Sequence, residues 1–507
     1  VPRNARIIVH SNGLWTNRHR NVEQQFQKLF DVSNPQPPTT DFFGDLRITV
    51  KALQDLIASA IADHTTIRAL GGGWSLSRAA VTDGRLVNTA PLNWFFPVTG
   101  SGLADAFDGD ENSVFYLQCG VSVSEANGHL FRNDPQLALK TSGASNGQTI
   151  AGAISTGTHG SAFAFGAMQE YVIGLHLITG PDKALWIERA SRPVFSDEVI
   201  ADLGAEPIRD DQLFNDALVS FGSFGLLHGV AIEAEPLYLL EATRRRLPLD
   251  ANLKNAMTTL DFTSIPMPHP GEAPFHFEVL VNPHDIQLGA YVTTMYKRPY
   301  RTDYPRPQPN ADGRGIGDDL LAIVGKFGDL IPPAVGPLIN SVIGQQYRLF
   351  AQQFGTPGEI FSANLGMQKA MSTEIGVALQ DSVRALDLML ASPKMATYPG
   401  VLAFRFVRGS SASLAFTKFP TTCTVEFPSG FAQVTLDYLQ SVWDGLEQAA
   451  IPFTEHWGQQ NNFTPQRVRT MYGDAAVDQW IASRQTLMDA PSRAAFSSAF
   501  LNQCGLG

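Results

Sequence analysis

Apolar residues recur at three- and four-residue intervals through "VKALQDLIASAIAD", which predicts an amphipathic helix over Val50–Asp63 after a polar, proline-containing opening, "SNPQPPTT". The next apolar run, "TTIRAL", is too short for a helix and predicts a strand that ends on three glycines. "SVFYLQCGVSVSEANGHLF" predicts a strand, a turn and a helix, whereas Ala138–Ala162 is a long run of small residues, "ALKTSGASNGQTIAGAISTGTHGSA". "YVIGLHLIT" and "HGVAIEAEPLYLL" predict strands on either side of "LFNDALVSFGSFG". Short strands and helices around glycine-rich turns thus fill the first 240 residues and predict an α+β domain. Beyond about Leu240 the texture changes to "FHFEVLVNP", "GVLAFRFVRG" and "CTVEFPS", strands of a broad sheet with helical segments between them and a helical tail. Pro299–Asp319, rich in Pro, Gly and Asp, predicts a surface loop or lid.

Composition narrows the class. A chain of 507 residues that is 44% hydrophobic can bury a large core and has room for two or more domains. Its net charge of -11 argues against a nucleic-acid partner or an anionic membrane surface, both of which call for clustered Lys and Arg. The compact basic run Arg244, Arg245 and Arg246 reads as a solvated strand or loop end. Cys119, Cys423 and Cys504 are too far apart in sequence for a C-x-x-C site, so no disulfide framework and no metal centre is readable. The most apolar long region, Asp318–Gly344, is broken by Lys326, Asp329 and a proline pair, which excludes a membrane span and predicts a soluble chain. Whether it works in the cytoplasm or is secreted after removal of a signal stays open.

The glycine triplet "IRALGGGWSLSRA" carries the first chemical signal. It matches neither the G-x-G-x-x-G dinucleotide fingerprint nor a phosphate-binding loop with its lysine. Gly71, Gly72 and Gly73 can let backbone N–H groups converge on a pyrophosphate, with Ser75 and Ser77 adding hydroxyls, or they can form a tight turn packed by Trp74. The small-residue run, with His159 in "STGTHGSA", favours the first reading, because a segment that poor in bulk hugs something flat. Two such segments about seventy positions apart can sandwich an extended dinucleotide.

"IRALGGGWSLSRA", "NGQTIAGAISTGTHGSA" and "FGSFGLLHGVAIEAEP" resemble the vanillyl-alcohol-oxidase (PCMH) type of FAD-binding domain, and within that superfamily the alditol and aldonolactone oxidase branch. "PFTEHWGQQ" is similar to the branch's His-Trp-Gly-Lys signature. The resemblance implies two α/β subdomains that grip FAD in residues 1–240, a substrate-binding cap with a large antiparallel sheet in 241–450, and a segment 451–507 that returns to the FAD domain. It implies FAD contacts from Gly71, Gly72, Gly73, Trp74, Ser75 and Leu76, from Ser145, Gln148, Thr149, Gly152, Ser155, Thr156, Thr158 and His159, and from Gly229, Val230 and His456. His159 reads there as a structural element near the ribityl chain rather than as a catalytic group. Many relatives carry, where Trp74 stands, a histidine bonded to the flavin, and others place a cysteine within the segment that reads "SGASNG" here. Neither residue is present, so the expectation is dissociable FAD with Trp74 beside the dimethylbenzene edge.

The cap supplies the catalytic candidates. In "LAFRFVR", Ala403, Arg405 and Val407 share one face of a strand, and Phe404 and Phe406 the other. The branch has a Glu-x-Arg pair on a similar strand; here the arginine is kept and the acid is Ala403, while Gln459 stands in place of the signature's lysine. Glu278, sharing a face with His276, and Glu426, sharing one with Thr424, are the carboxylates that can stand in. The expectation is hydride removal from a CH–OH carbon of a small molecule, with molecular oxygen as acceptor and hydrogen peroxide as product. Oxidation of a CH–NH substrate, a dehydrogenase using another acceptor, and a flavin-fold binding protein without turnover are the alternatives. The apolar Asp318–Gly344 region reads equally as a lid or pocket wall, which tilts the substrate towards a hydrophobic alcohol, or as an oligomer interface.

Overall fold

The computed structural model describes residues 4–307, 335–363 and 370–507. A four-stranded sheet begins the chain, in the order Arg6–Thr16, Glu23–Ser33, Arg85–Asn88, Ile67–Leu70. Its first two strands form an antiparallel hairpin within the opening that sequence reading left without elements, and the other two pair in parallel. The first helix spans Phe42–Ala62, starting eight residues earlier than the apolar pattern marks. Asp41 caps it by accepting from Gly44 N, and Phe42 stacks on Trp94 at 4.6 Å, so aromatic packing carries the extra turns.

The second sheet has six strands, with Val172–Gly180 and Leu226–Glu233 at its centre. The small-residue run folds around a short helix, Ile150–Thr156, capped by the Thr149 hydroxyl and ended by Gly157 at φ 80°. Ile150 and Ile154 of this helix, Leu53 and Ile57 of the first helix, and Trp480, Phe496 and Phe500 of the tail share one core. The helical tail therefore packs back on the N-terminal half.

The third sheet is eight-stranded and every pairing in it is antiparallel. Its order is Phe350–Gly355, Tyr238–Leu247, Ala290–Pro299, His276–Val281, Leu402–Arg408, Thr421–Glu426, Glu374–Ala378, Phe453–Glu455. The strand that opens it starts at Tyr238, near the change of texture, and the last strand extends past residue 451, so the chain leaves this sheet only after Glu455. One face buries Phe277, Val279, Phe404, Phe406 and Val425 against helices Ala251–Thr259, Ser382–Ala391 and Gln433–Gln448. Strand alternation then directs Glu278, Arg405 and Glu426 to the opposite face, towards the N-terminal half. The lid reading of Pro299–Asp319 and most of the apolar Asp318–Gly344 stretch lie outside the described residues. No helix among the described residues is long and apolar enough to cross a membrane.

Candidate cofactor and active site

One continuous cavity runs between the small-residue segments and the free face of the eight-stranded sheet. Gly71, Gly72, Gly73, Trp74, Ser75, Leu76, Ser145, Gln148, Thr149, Gly152, Ser155, Thr156, Thr158, His159 and His456 line it from one side, and His276, Glu278, Arg405, Glu426 and Gln459 complete it. Gly229 and Val230 are a correction: they do not line it. Both sit mid-strand between two hydrogen-bonded neighbours, and a Cβ on Gly229 would lie 2.3 Å from the Tyr116 hydroxyl, so this glycine serves sheet packing.

The missing side chains of the glycines also serve contacts within the protein. A Cβ on Gly71 would meet the Thr149 hydroxyl at 2.2 Å, and one on Gly72 the Gly147 carbonyl at 2.6 Å. The missing side chains thus let the two small-residue segments touch each other, and only Gly73, at φ 70°, holds a left-handed turn. The serines also have protein partners: Ser75 Oγ donates to the Gly458 carbonyl at 3.1 Å and Ser77 Oγ to that of Trp457 at 2.7 Å. The histidine-tryptophan-glycine segment is in this way sewn to the glycine turn. Trp457 itself is core, tilted against the Phe221 ring and donating to the Leu414 carbonyl, while His456 beside it faces the cavity.

Cavity-lining polar atoms test whether a polar cofactor fits. Trp74 Nε1, Gln148 Oε1 and Gln459 Oε1 are buried without a hydrogen-bond partner among the described residues. A buried polar atom left unpaired costs roughly 1–3 kcal/mol, so such atoms along one cavity mark a surface built to receive a polar, elongated ligand. The residues fit FAD: small on the side that must pass close to it, with unpaired donors and acceptors spaced along the wall.

The charged end of the cavity is assembled by sheet register. Arg244, Thr293, Glu278, Arg405 and Thr424 occupy one cross-strand row, and Ala403, Glu426 and Glu374 the neighbouring row. Arg405 Nε donates to Glu278 Oε2 at 3.1 Å and Nη1 to Glu426 Oε2 at 2.6 Å, with Glu374 Oε1 at 3.8 Å. Ala403 directly opposes Glu426, whose carboxylate reaches Arg405 from the neighbouring strand. Burial disfavours the Arg405 charge, but Glu426, Glu278 and Glu374 overcome it and hold the guanidinium protonated. Burial pushes the Glu278 carboxyl up, but Arg405, His276 and the Tyr347 hydroxyl together outweigh it and keep that carboxyl below its ordinary range.

Glu374 went unnoticed in the sequence, where "STEIGVAL" offers no more than a strand with one acid. Its Oε1 meets His159 Nε2 at 3.1 Å and its Oε2 accepts from Gln459 Nε2 at 3.0 Å. Burial pushes both groups towards neutrality, yet their attraction prevails: His159 is lifted above its ordinary value and Glu374 is held well below the usual carboxylate range. Donor atoms of His159, Glu374 and His456 lie within 4.8 Å of one another, an arrangement whose closest contact is this ion pair. His456 and His276 are pulled down by burial to about 4. His276 Nε2 stands 3.9 Å from Glu278 Oε2. Arg244, expected on a solvated strand end, is instead buried in the cavity wall, donating to Thr293 Oγ1 at 3.1 Å with its guanidinium 3.6 Å from the Tyr347 ring centre. Tyr347 in turn donates to Glu278 Oε1.

Residues 48–187 match a family model described as an FAD binding domain. The chain is 24% identical over 440 residues to an L-gulono-1,4-lactone dehydrogenase of Mycobacterium tuberculosis, covering 83% of this chain and 87% of that protein. It is 27% identical over 210 residues to a D-arabinono-1,4-lactone oxidase of Debaryomyces hansenii, covering 41% of this chain, and that match spans only 34% of the yeast protein. Cholesterol oxidase of Brevibacterium sterolicum has a similar fold, with a TM-score of 0.66 over 98% of this chain and 97% of that one at 12% identity. The matched FAD-binding segment and the lactone-oxidoreductase relatives agree with the lining of the cavity, and they support a place for this chain among the FAD-linked oxidases with a PCMH-type FAD-binding domain, near the aldonolactone oxidases.

Proposed function

We propose that the protein is an FAD-dependent oxidoreductase that oxidises a CH–OH carbon of a small, hydroxyl-rich substrate and passes the electrons to oxygen. The observation that carries this reading is Arg405, largely enclosed on the sheet and bonded to Glu278 and Glu426 inside the cavity that the small-residue segments line. When bound, FAD supplies the hydride acceptor.

The chain's own groups divide the remaining work. Arg405 presents fixed positive charge to a substrate oxygen, and it stays in place because two carboxylates grip it. His276 takes the hydroxyl proton: its imidazole is neutral above about pH 4, and Glu278 stands 3.9 Å away to stabilise the cation that forms. Both oxygens of Glu278 already accept, from Tyr347 and from Arg405, as do both of Glu426, from Ser372 and Arg405. These carboxylates therefore orient and balance charge. Trp74 occupies the position of a covalent anchor, so FAD is held without a bond to protein.

The described wall around Arg405 offers Arg244, His276, Glu278, Thr293 and Glu426, with Met295 and Phe361 as its apolar members. A sterol-sized hydrocarbon would strand those charges in an apolar contact, whereas a sugar-derived lactone or polyol satisfies them. The relatives named for D-arabinono- and L-gulono-1,4-lactone support the same class.

Anaerobic titration of the yellow holoprotein with aldonolactones, alditols, sterols and amines tests the reading. Bleaching by lactones or polyols, reversed by air with formation of hydrogen peroxide, is the expected result. Colour that no member of the set bleaches supports binding without turnover, and bleaching by sterols or amines alone refutes the substrate class.

A further inference from the structure

The N-terminal hairpin is ordered in an unusual way. Its outer strand, Arg6–Thr16, lies at a sheet edge and is largely exposed, with Val9 at 52% and Leu14 at 54%. The tip that follows is the reverse: Asn17 is fully buried, and His19 and Val22 nearly so. The inner strand, Glu23–Ser33, is anchored by burial of Phe26, Phe30 and Val32 and by pairing with Arg85–Asn88, whereas the exposed outer strand gains little from its own surface and the order of the loop between them has to come from what the tip touches.

The tip touches the glycine turn at successive backbone positions. Arg18 N donates to the Gly73 carbonyl at 3.0 Å, Asn17 Nδ2 to that of Ser75 at 2.8 Å and Asn21 Nδ2 to that of Leu76 at 2.8 Å. Asn17 is locked for this task, because its Oδ1 accepts from Asn21 N and Val22 N, both at 3.1 Å. The Arg18 guanidinium lies 4.8 Å from the Trp74 ring centre, and the His19 ring meets Trp74 edge-on at 5.7 Å. Trp15 and His19 themselves line the cavity. On its other side the tip reaches the segment that leads into the eight-stranded sheet, where Ala370 N donates to the His19 carbonyl at 3.2 Å.

We propose that the Asn17–Val22 tip is a clasp on the FAD site, which closes over the glycine turn and Trp74 and sets how slowly the dinucleotide leaves. The clasp retains FAD by contacts that must all break together, where a covalent bond would retain it outright. The tip's polar contacts can break while the inner strand stays paired in its sheet, so the tip opens locally at low cost, which lets FAD enter. Binding then stabilises the closed tip by linkage.

The inference rests on FAD being dissociable, and acid precipitation of the holoprotein checks that separately. Yellow colour left in the supernatant upholds it; flavin in the pellet overturns both that reading and the clasp. For the clasp itself, FAD release is timed by dilution and ultrafiltration, reading absorbance in the filtrate. Asn17→Ala with Asn21→Ala speeds release about tenfold or more, as expected for loss of two hydrogen bonds. Val9→Ser, on the exposed stem, changes it less than twofold. Hydrogen exchange supplies a readout that does not depend on a variant folding: amides of 17–22 in the wild-type chain gain protection when FAD is added to the apoprotein. Protection of 17–22 that is the same with and without FAD overturns the clasp, and so does a folded double variant that releases FAD at the wild-type rate.

Discussion

Replacing Arg405 by methionine probes the charge cluster most directly. The side chain is 11% exposed, and it faces Glu278 at 3.1 Å, Glu426 at 2.6 Å and Glu374 at 3.8 Å. Methionine fills much of the volume but leaves buried carboxylates without their cation, and breaking a buried pair by removing one partner costs about 3–5 kcal/mol. For a sheet-and-helix unit of some two hundred residues that corresponds to a fall in melting temperature on the order of 10 °C at pH 7.5. The sign with pH follows from linkage. In the wild type, the depressed Glu278 carboxyl contributes stability above the unfolded carboxyl pKa and loses it as pH falls through its folded value. Without Arg405 the dominant influence on Glu278 is burial, which raises its pKa, so the variant sheds part of its penalty on acidification. Calorimetric melts of wild type and variant at pH 7.5 and pH 5 should show a gap that narrows at the lower pH. A gap below about 2 °C at pH 7.5, or one that widens towards pH 5, refutes the assignment of Arg405 as the shared cation of the cluster.

Three further outcomes are expected. If His276 accepts the substrate proton, kcat/KM of the wild type holds down to the vicinity of pH 4, where the imidazole protonates, and His276→Gln lowers kcat at least a hundredfold while abolishing that acid limb. Glu455, buried where desolvation lifts its carboxyl to about 7 against the pull of Asn462 N and Arg467, is charged at a cost above that pH. Its contribution falls as pH rises from the unfolded carboxyl range through 7, so Glu455→Gln should raise the melting temperature at pH 8 by the equivalent of roughly 2–3 kcal/mol and leave it nearly unchanged at pH 4.5. Gly72→Ala puts a methyl 2.6 Å from the Gly147 carbonyl and forces the two small-residue segments apart; equilibrium dialysis should show FAD affinity lowered at least tenfold, with the apoprotein still folded by circular dichroism.

What the chain carries locally was readable before any coordinates. Alternation in "LAFRFVR" puts Arg405 opposite Phe404 and Phe406, because successive strand residues face opposite ways whatever lies beside them. The small-residue composition of 71–73 and 138–162 marked segments that line the cavity for a similar reason: side-chain bulk is a property of the residue itself. Contacts between distant segments were not readable. Glu374 joins His159 and Gln459, Glu426 reaches Arg405, and Arg244 enters the cavity wall only because the eight strands pair in one register. A shift of a single residue would turn each of these side chains to the other face. The hairpin tip escaped notice because its polar residues find their partners at the glycine turn some fifty positions further on. Gly229 and Val230 failed in the opposite direction: residues close to a recognisable motif were assigned to FAD, yet the six-stranded sheet buries them on both edges. Periodicity and composition act over a few residues, so the chain fixes which faces exist; burial and hydrogen-bond pairing across the whole molecule decide which of those faces meet.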